Sequence, residues 1–186
     1  MASFLILYGT SEGQTAKVAR RLADTLKARG HAVTTHSISE AGEEVDLDAF
    51  DAVLVGSSIH IGQHHADIQA FVKTHREALH ERPTAFFQLS LNIVDARPEK
   101  QAEAAGYIDT FLETTGWHPD RIGHFGGALR YSKYGFLKRL MMKQIAKRAS
   151  GDIDTARDYE YTDWAEVEAF ANDFAAFVEG RLGAER

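Results

Sequence analysis

Short apolar runs punctuate the chain. Phe4-Leu5-Ile6-Leu7, Ala52-Val53-Leu54-Val55 and Ala85-Phe86-Phe87 are continuous rather than alternating, as in strands buried on both faces of a parallel sheet. With the stretches around them they predict strands at about 3–8, 32–37, 51–56, 84–91 and 121–129. Between these lie stretches that read as helices, about 14–29, 64–79, 98–115 and 164–180. Turn signals bound them: Gly30 ends the first helix, Pro83 precedes the fourth strand, Pro98 opens the third helix and Gly116 closes it. The alternation of strand and helix predicts an α/β fold, a parallel sheet covered by helices on both faces. Five strands in this rhythm suit a doubly wound sheet of order 2-1-3-4-5, in which a ligand sits at the carboxyl ends of the strands beside strand 1.

One interval breaks the rhythm. The fifth strand should lead almost directly into the last helix, yet Arg130 to Thr162 intervene, and a connection of that length in a compact domain is usually functional. It opens GGALRYSKYG, continues as the basic and apolar stretch FLKRLMMKQIAKRAS, and returns through GDIDTARDYEYTDW. On a helix over 136–149, Leu137, Leu140, Met141 and Ile145 share one arc with Tyr134, while Arg139, Lys143 and Lys147 lie opposite. Phe136 and Met142 fall outside the apolar arc and Arg148 falls within it. Such a helix either packs on the domain or on a second subunit with its basic face solvated, or lies on an anionic membrane surface. In the second case each basic side chain adds about 1 kcal/mol of attraction.

Charge sharpens the contrast. Lys133, Lys138, Arg139, Lys143, Lys147 and Arg148 give segment 133–150 a charge of +6 with no acidic residue, so against a total of −6 the remainder carries −12. So acidic a remainder argues against nucleic acid as a partner. At 186 residues, 44% apolar and 26% charged, the chain suits one well-packed α/β domain over 1–186, with an insert at about 130–162. Cysteine is absent, which excludes disulfides, thiolate metal sites, iron–sulfur clusters and cysteine nucleophiles, so redox chemistry requires a bound cofactor. No apolar stretch is long enough to span a bilayer and no leader segment is visible, which leads to the expectation of a cytoplasmic protein or one on a membrane surface.

The candidate chemistry gathers where three strands end. After strand 1 the chain reads GTSEGQT at 9–15, after strand 3 GSSIHIGQHH at 56–65, and after strand 4 SLNIVDAR at 90–97. These loops are polar, small or glycine-bearing where they leave the strand, the composition that wraps a flat cofactor with backbone groups. In the first, Thr10, Ser11 and Thr15 offer hydroxyls and Gly13 allows close backbone approach, while the helix that follows aims its unpaired N–H groups at the same spot. Neither G-x-x-x-x-G-K-[ST] nor G-x-G-x-x-G is present. The loop resembles instead the T-x-x-G-x-T loop with which flavodoxins hold the 5′-phosphate of FMN.

Over nearly its whole length the chain resembles the flavodoxin-like, quinone-dependent protoporphyrinogen oxidases of bacteria. The carriers are LILYGTSEGQT at the start, VLVGSSIHIGQHHADIQAFVKTH at 53–75, RPEK at 97–100, WHPDRI with GGALRYSKY over 117–134, and YTDWAEVEAFA at 161–171. The GALRY stretch followed by a basic helix is the specific part, since ordinary flavodoxins and nicotinamide-dependent quinone reductases of this fold lack it. The resemblance implies an FMN enzyme that oxidises protoporphyrinogen IX to protoporphyrin IX in haem synthesis. It delivers the electrons to menaquinone or ubiquinone at the inner face of the cell membrane.

Carried onto matching positions, the resemblance implies that Thr10, Ser11, Glu12, Gly13, Gln14 and Thr15 hold the FMN phosphate. Ser58, Ile59, His60, Ile61 and Gly62, with Ser90, Leu91, Asn92 and Ile93, would line the ring and ribityl chain. Arg130, Tyr131, Lys133 and Arg139 are candidates for the porphyrin, the cations through its propionates and the tyrosine by stacking. His60, His64, His65 and Asp67 do not reproduce metallohydrolase spacing, and no metal is expected. No catalytic acid or base is evident. An FMN electron carrier and a nicotinamide-dependent quinone reductase are the alternative readings.

Overall fold

The structure is a computed structural model that describes residues 1–41, 45–130, 140, 142–144, 146–147, 154 and 156–184. Its main sheet has the order β2-β1-β3-β4-β5 with every pairing parallel. In chain order the elements are β1 (Ser3–Gly9), α1 (Gln14–Ala28), β2 (Ala32–Ser37), α2 (Ile38–Ala41), β3 (Ala52–Ser58), α3 (Ala66–Thr74), α4 (Arg76–His80), β4 (Thr84–Ser90), α5 (Pro98–Thr115), β5 (Arg121–Gly126), β6 (Ala128–Leu129), β7 (Tyr159–Glu160) and α6 (Trp164–Ala184). This is the doubly wound flavodoxin-like order expected from the alternation of elements.

The apolar runs form the three central strands, and the period of two along each divides its side chains between two cores. Phe4, Ile6, Leu54, Phe87 and Leu89 face α1 and α6 with Val18, Leu22, Leu26, Phe174 and Val178. Leu5, Leu7, Val53, Val55 and Phe86 face the opposite layer with Ile68, Phe71, Ile108, Phe111 and Trp117. Phe86 and Phe111 stack at 4.5 Å, and the fully buried Trp117 stands edge-on to both at 6.0 and 6.4 Å. The edge strands β2 and β5 carry more polar and exposed positions, as their half-open setting allows.

Two elements differ from the sequence expectation. The helix expected over 64–79 begins at Ala66 and breaks at His75, whose backbone leaves helical angles at φ −104° and ψ 16°. Its start is delayed because His64 turns into the core and the His65 N–H donates to Ser57 Oγ. The strand expected over 121–129 stops at Gly126, because β4 ends at Ser90 and enters a 3-10 turn over Leu91–Val94, leaving no ladder partner beyond. The chain then pairs Ala128 and Leu129 antiparallel with Glu160 and Tyr159.

That crossing depends on Gly126. A Cβ there would lie 2.3 Å from the Tyr161 carbonyl oxygen, and the Gly126 carbonyl accepts from Thr162 Oγ1 at 2.7 Å. Gly126→Ala is expected to destabilise the protein by about 2 kcal/mol through overpacking against backbone that cannot rotate away. Urea denaturation checks this; a midpoint equal to wild type would show that the 159–162 return has room to shift. Among the described residues no helix is long and apolar enough to cross a membrane.

Candidate active site

The carboxyl ends of β1, β3 and β4 border a cleft of about 370 Å³. Of the residues expected at a flavin, Thr10, Ser11, Glu12, Gln14, Thr15, Ser58, Ile59, His60, Ile61, Gly62, Ser90, Leu91 and Asn92 line it. Gly13 and Ile93 belong to the same loops but not to the lining. Three loops separated in sequence are thus brought to one edge by the strand order.

The first loop is shaped as an anion cradle. Gly13 occupies the N-cap of α1 in the left-handed conformation, φ 92° and ψ −5°, and donates its N–H to Thr10 Oγ1 at 2.9 Å. No side chain caps α1 and no acidic residue stands in its first turn, so the free N–H groups and the positive end of the helix dipole remain available. Thr15 is completely buried, yet its Oγ1 has no hydrogen-bond partner among the described residues. A buried hydroxyl in that state is destabilising by about 1–3 kcal/mol unless something occupies the cradle.

The second loop is a tight turn in which His60 and Gln63 exchange both backbone hydrogen bonds, at 2.9 and 3.2 Å. Its two central residues, Ile61 at φ 50° and Gly62 at φ 74°, are both left-handed, as this turn requires. For a β-branched isoleucine that conformation is strained, and the side chain is 79% exposed at the cleft. The turn is anchored to the sheet by the Ile59 N–H, which donates to the Leu89 carbonyl at 2.9 Å. Ser90 Oγ accepts from the Asn92 N–H at 3.1 Å and shapes the third loop.

The fourth wall was not anticipated from sequence. Lys100, Glu103 and Tyr107 rise along one face of α5 and line the cleft. Tyr107 Oη donates to Glu103 Oε1 at 2.7 Å, and the Lys100 ammonium pairs with Glu103 Oε2. The bonds from Lys100 and then Tyr107 hold the Glu103 carboxyl below its ordinary value of 4.5. Burial, with Glu103 adding to it, pushes the Tyr107 phenol up to about 12. The carboxylate is therefore ionised and the phenol protonated at neutral pH. Spacing of i, i+3 and i+7 on a helix that borders a loop cluster was the available signal.

The insert also reaches the cleft. Met142 lines it, next to Gly127 and Ala128 ahead of the insert, and packs with Ala146, Leu129, Leu91, Tyr159 and Tyr161. Met142 and Ala146, four residues apart, thus face the protein, whereas Leu140, Lys143, Gln144 and Lys147 are exposed. On the helical wheel Leu140 lies on the apolar arc and Met142 outside it; the structure packs Met142 and exposes Leu140. Hydropathy alone defines that arc, whereas the space beside Leu91 and Leu129 selects Met142.

Arg130, considered from its charge as a partner for substrate propionates, is placed otherwise. Its guanidinium donates to Gln14 Oε1 at 2.6 Å and pairs with Glu160 at 3.3 Å and Asp158 at 3.9 Å. Gln14 in turn donates to Thr162 Oγ1 at 2.9 Å, and Lys17 holds Glu160 at 2.9 Å, so the return of the insert is tied to the first turn of α1. Tyr131, Lys133 and Arg139 lie outside the described residues. His64 Nε2 is committed to Gln88 Oε1 at 2.7 Å, and His65 Nδ1 stands 3.7 Å from Asp67.

Residues 5–156 match the family model described as a flavodoxin domain. The chain is 38% identical, over 94% of its length and 96% of the relative's, to a protein of Escherichia coli (strain K12) named protoporphyrinogen IX dehydrogenase [quinone]. A Leishmania major protein of the same name is 36% identical over 92% of this chain and 74% of its own. Among solved structures, a short-chain flavodoxin associated with a non-canonical PDU bacterial microcompartment matches with a TM-score of 0.57 at 13% identity, covering 96% of this chain and 99% of that one. Oxidised Flavodoxin 2 from Bacillus cereus matches at 0.56 and 20% identity, covering 94% and 99%. These two structures share the fold.

Proposed function

Because the chain belongs to the flavodoxin-domain family, and within it to the quinone-dependent protoporphyrinogen IX dehydrogenases, we propose that it binds FMN in this cleft and oxidises protoporphyrinogen IX to protoporphyrin IX, a step of haem synthesis, with menaquinone or ubiquinone as acceptor. The observation that carries the cofactor is the buried, unpartnered Thr15 hydroxyl beside an uncapped helix N-terminus. A phosphate dianion satisfies both. Thr10 to Thr15 would hold that phosphate, and Ser58 to Gly62 with Ser90 to Ile93 would border the ring, His60 among them. Bound there, FMN would supply the redox chemistry that links the porphyrinogen to the quinone. The chain's own part is to orient the two ligands and shield the site from water. We read 1–186 as one FMN-binding domain, with the stretch from about 130 to 162 as its insert.

The test is direct. The purified protein should show flavin absorbance, the extracted flavin should be FMN, and protoporphyrinogen should be consumed anaerobically when a quinone is added. Bleaching of the flavin by NADH or NADPH without porphyrinogen turnover would assign it to the nicotinamide-dependent quinone reductases instead.

We further place the protein on the inner face of the cell membrane, where an apolar quinone is reached. Leu140, Lys143 and Lys147 fall at i, i+3 and i+7 and are all exposed, so one helix face offers both an apolar and two cationic groups to an anionic surface. Lys143→Gln with Lys147→Gln is expected to weaken binding to anionic vesicles by about 2 kcal/mol, about thirtyfold. A wild-type protein that shows no preference for anionic over neutral vesicles at low salt sinks this placement.

A further inference from the structure

RPEK at 97–100 opens α5, and its lysine is a cation on the cleft wall away from the phosphate cradle. The other described arginine near the site, Arg130, is engaged with Gln14, Glu160 and Asp158. Arg97 is engaged with Asp95, its Nε and Nη2 reaching the two carboxylate oxygens at 2.9 and 2.6 Å. Lys100 is held differently. Its partner is Glu103, and both side chains are more than a third exposed, 35% and 40%. An ion pair in that setting is worth about 0–1 kcal/mol and exchanges readily.

The geometry around Glu103 makes the exchange easier. Its two oxygens have separate partners, Oε1 the Tyr107 hydroxyl and Oε2 the Lys100 ammonium. Lys100 can therefore leave Oε2 to water while Oε1 stays bonded to Tyr107. Tyr107 lies beside the strained turn, its hydroxyl 3.8 Å from where a Cβ on Gly62 would stand, so the pair borders the mouth at which a planar ligand would enter.

We propose that Lys100 is the anchor for a carboxylate of the substrate, and that Glu103, held by Tyr107, is the placeholder that the substrate's carboxylate displaces. This inference rests on the functional reading above, in which the substrate is a tetrapyrrole bearing propionates. It relocates the recognition of those propionates from Arg130 to α5. Glu103 also favours charged ligands over uncharged ones, because only another carboxylate replaces the attraction that Lys100 gives up. Lys100 binds and orients; it takes no part in electron transfer.

The experiment compares the flavin-loaded wild type with Lys100→Gln, Lys100→Arg and Glu103→Gln, using protoporphyrin IX and its dimethyl ester in detergent. Binding is read by porphyrin fluorescence, and turnover by oxidation of the corresponding porphyrinogens with a quinone. Lys100→Gln should weaken binding of the diacid about tenfold and raise its KM similarly, leaving kcat and the diester unchanged. Lys100→Arg should restore the diacid, and Glu103→Gln should tighten it. Equal diacid affinity in wild type and Lys100→Gln overturns the assignment, as does an equal loss for diacid and diester, which marks a merely structural role. Turnover of neither porphyrinogen by the wild type is failure of the functional reading, and the binding arm still decides on Lys100.

Discussion

Thr15→Ala combined with Gly13→Val is expected to abolish retention of FMN while the sheet remains folded. Thr15 Oγ1 is buried without a partner among the described residues, so its removal relieves the free protein of an unsatisfied group and deprives the phosphate of a hydroxyl donor. A hydrogen bond to a charged group contributes about 1.5–3 kcal/mol. Gly13 sits at φ 92°, where a β-branched residue is a severe outlier, with strain of about 1–3 kcal/mol. Valine there relaxes by moving the turn, and with it the Gly13 N–H that fixes Thr10 at 2.9 Å. The two losses together correspond to about a thousandfold in Kd. Flavin fluorescence titration of the apoprotein measures it, with circular dichroism to confirm the fold. An unchanged Kd in a folded double variant would move the phosphate to another place on the molecule. Thr15→Ser, which keeps the hydroxyl, should retain most of the affinity.

The cradle was legible because its parts are local. Thr10, Gly13 and Thr15 lie within one turn, directly after an apolar run that could only be a central strand, and backbone conformation there follows from glycine and hydroxyl positions a few residues apart. Sheet order followed from the same locality: continuous apolar runs at β1, β3 and β4, and more polar ones at the edges, match the observed burial. The wall made by Lys100, Glu103 and Tyr107 was not read, because its relation to the cleft depends on how α5 is rotated about its own axis. That rotation is set by Ala104, Ile108 and Phe111 packing under it, a tertiary fact. The surroundings of Arg130 were hidden for a similar reason. Its charge was visible, but Glu160 and Asp158, which absorb it, lie about thirty residues on and are brought close only by the β6–β7 pairing. His75 broke a helix whose local sequence continues it, and its ring, tilted against that of Phe71 with centroids 4.4 Å apart, accompanies the break.

Stability is expected to fall as the solution is acidified from pH 6.5 toward 5, before any held-down carboxylate titrates. Gln88 is fully buried on β4, and the Ala104 carbonyl, which accepts from its Nε2 at 2.9 Å, fixes the orientation of its amide. Oε1 must then accept from His64 Nε2–H, at 2.7 Å. The remaining Nε2 hydrogen points to His124 Nε2 at 3.0 Å, so that nitrogen is an acceptor and His124 carries its proton on Nδ1. The His124 imidazole is thus neutral, and burial keeps that of His64 neutral at pH 7. Burial, against the opposing bond to Gln88, lowers the His64 pKa from 6.5 to about 4, and burial lowers His124 as well. Below pH 6.5 the unfolded chain takes up a proton that the folded protein refuses, so the unfolded state gains and stability declines until the folded value near 4 is reached. The His64 share of that decline is about 3 kcal/mol in full and about 1.5 kcal/mol between pH 6.5 and 5. Carboxylates held below their ordinary values act mainly at lower pH: Glu103 is held below 4.5, and Asp95, bonded by Arg97, is held at about 2. Urea unfolding at a series of pH values measures the slope. His64→Phe should remove most of it, leaving the His124 share, while itself being less stable at pH 7 because Gln88 Oε1 loses its donor. A wild-type stability that is flat from pH 6.5 to 5, or a His64 ring that titrates near 6.5 by NMR, would show that this histidine is open to water and that the hydrogen-bonded chain through Gln88 does not hold in solution.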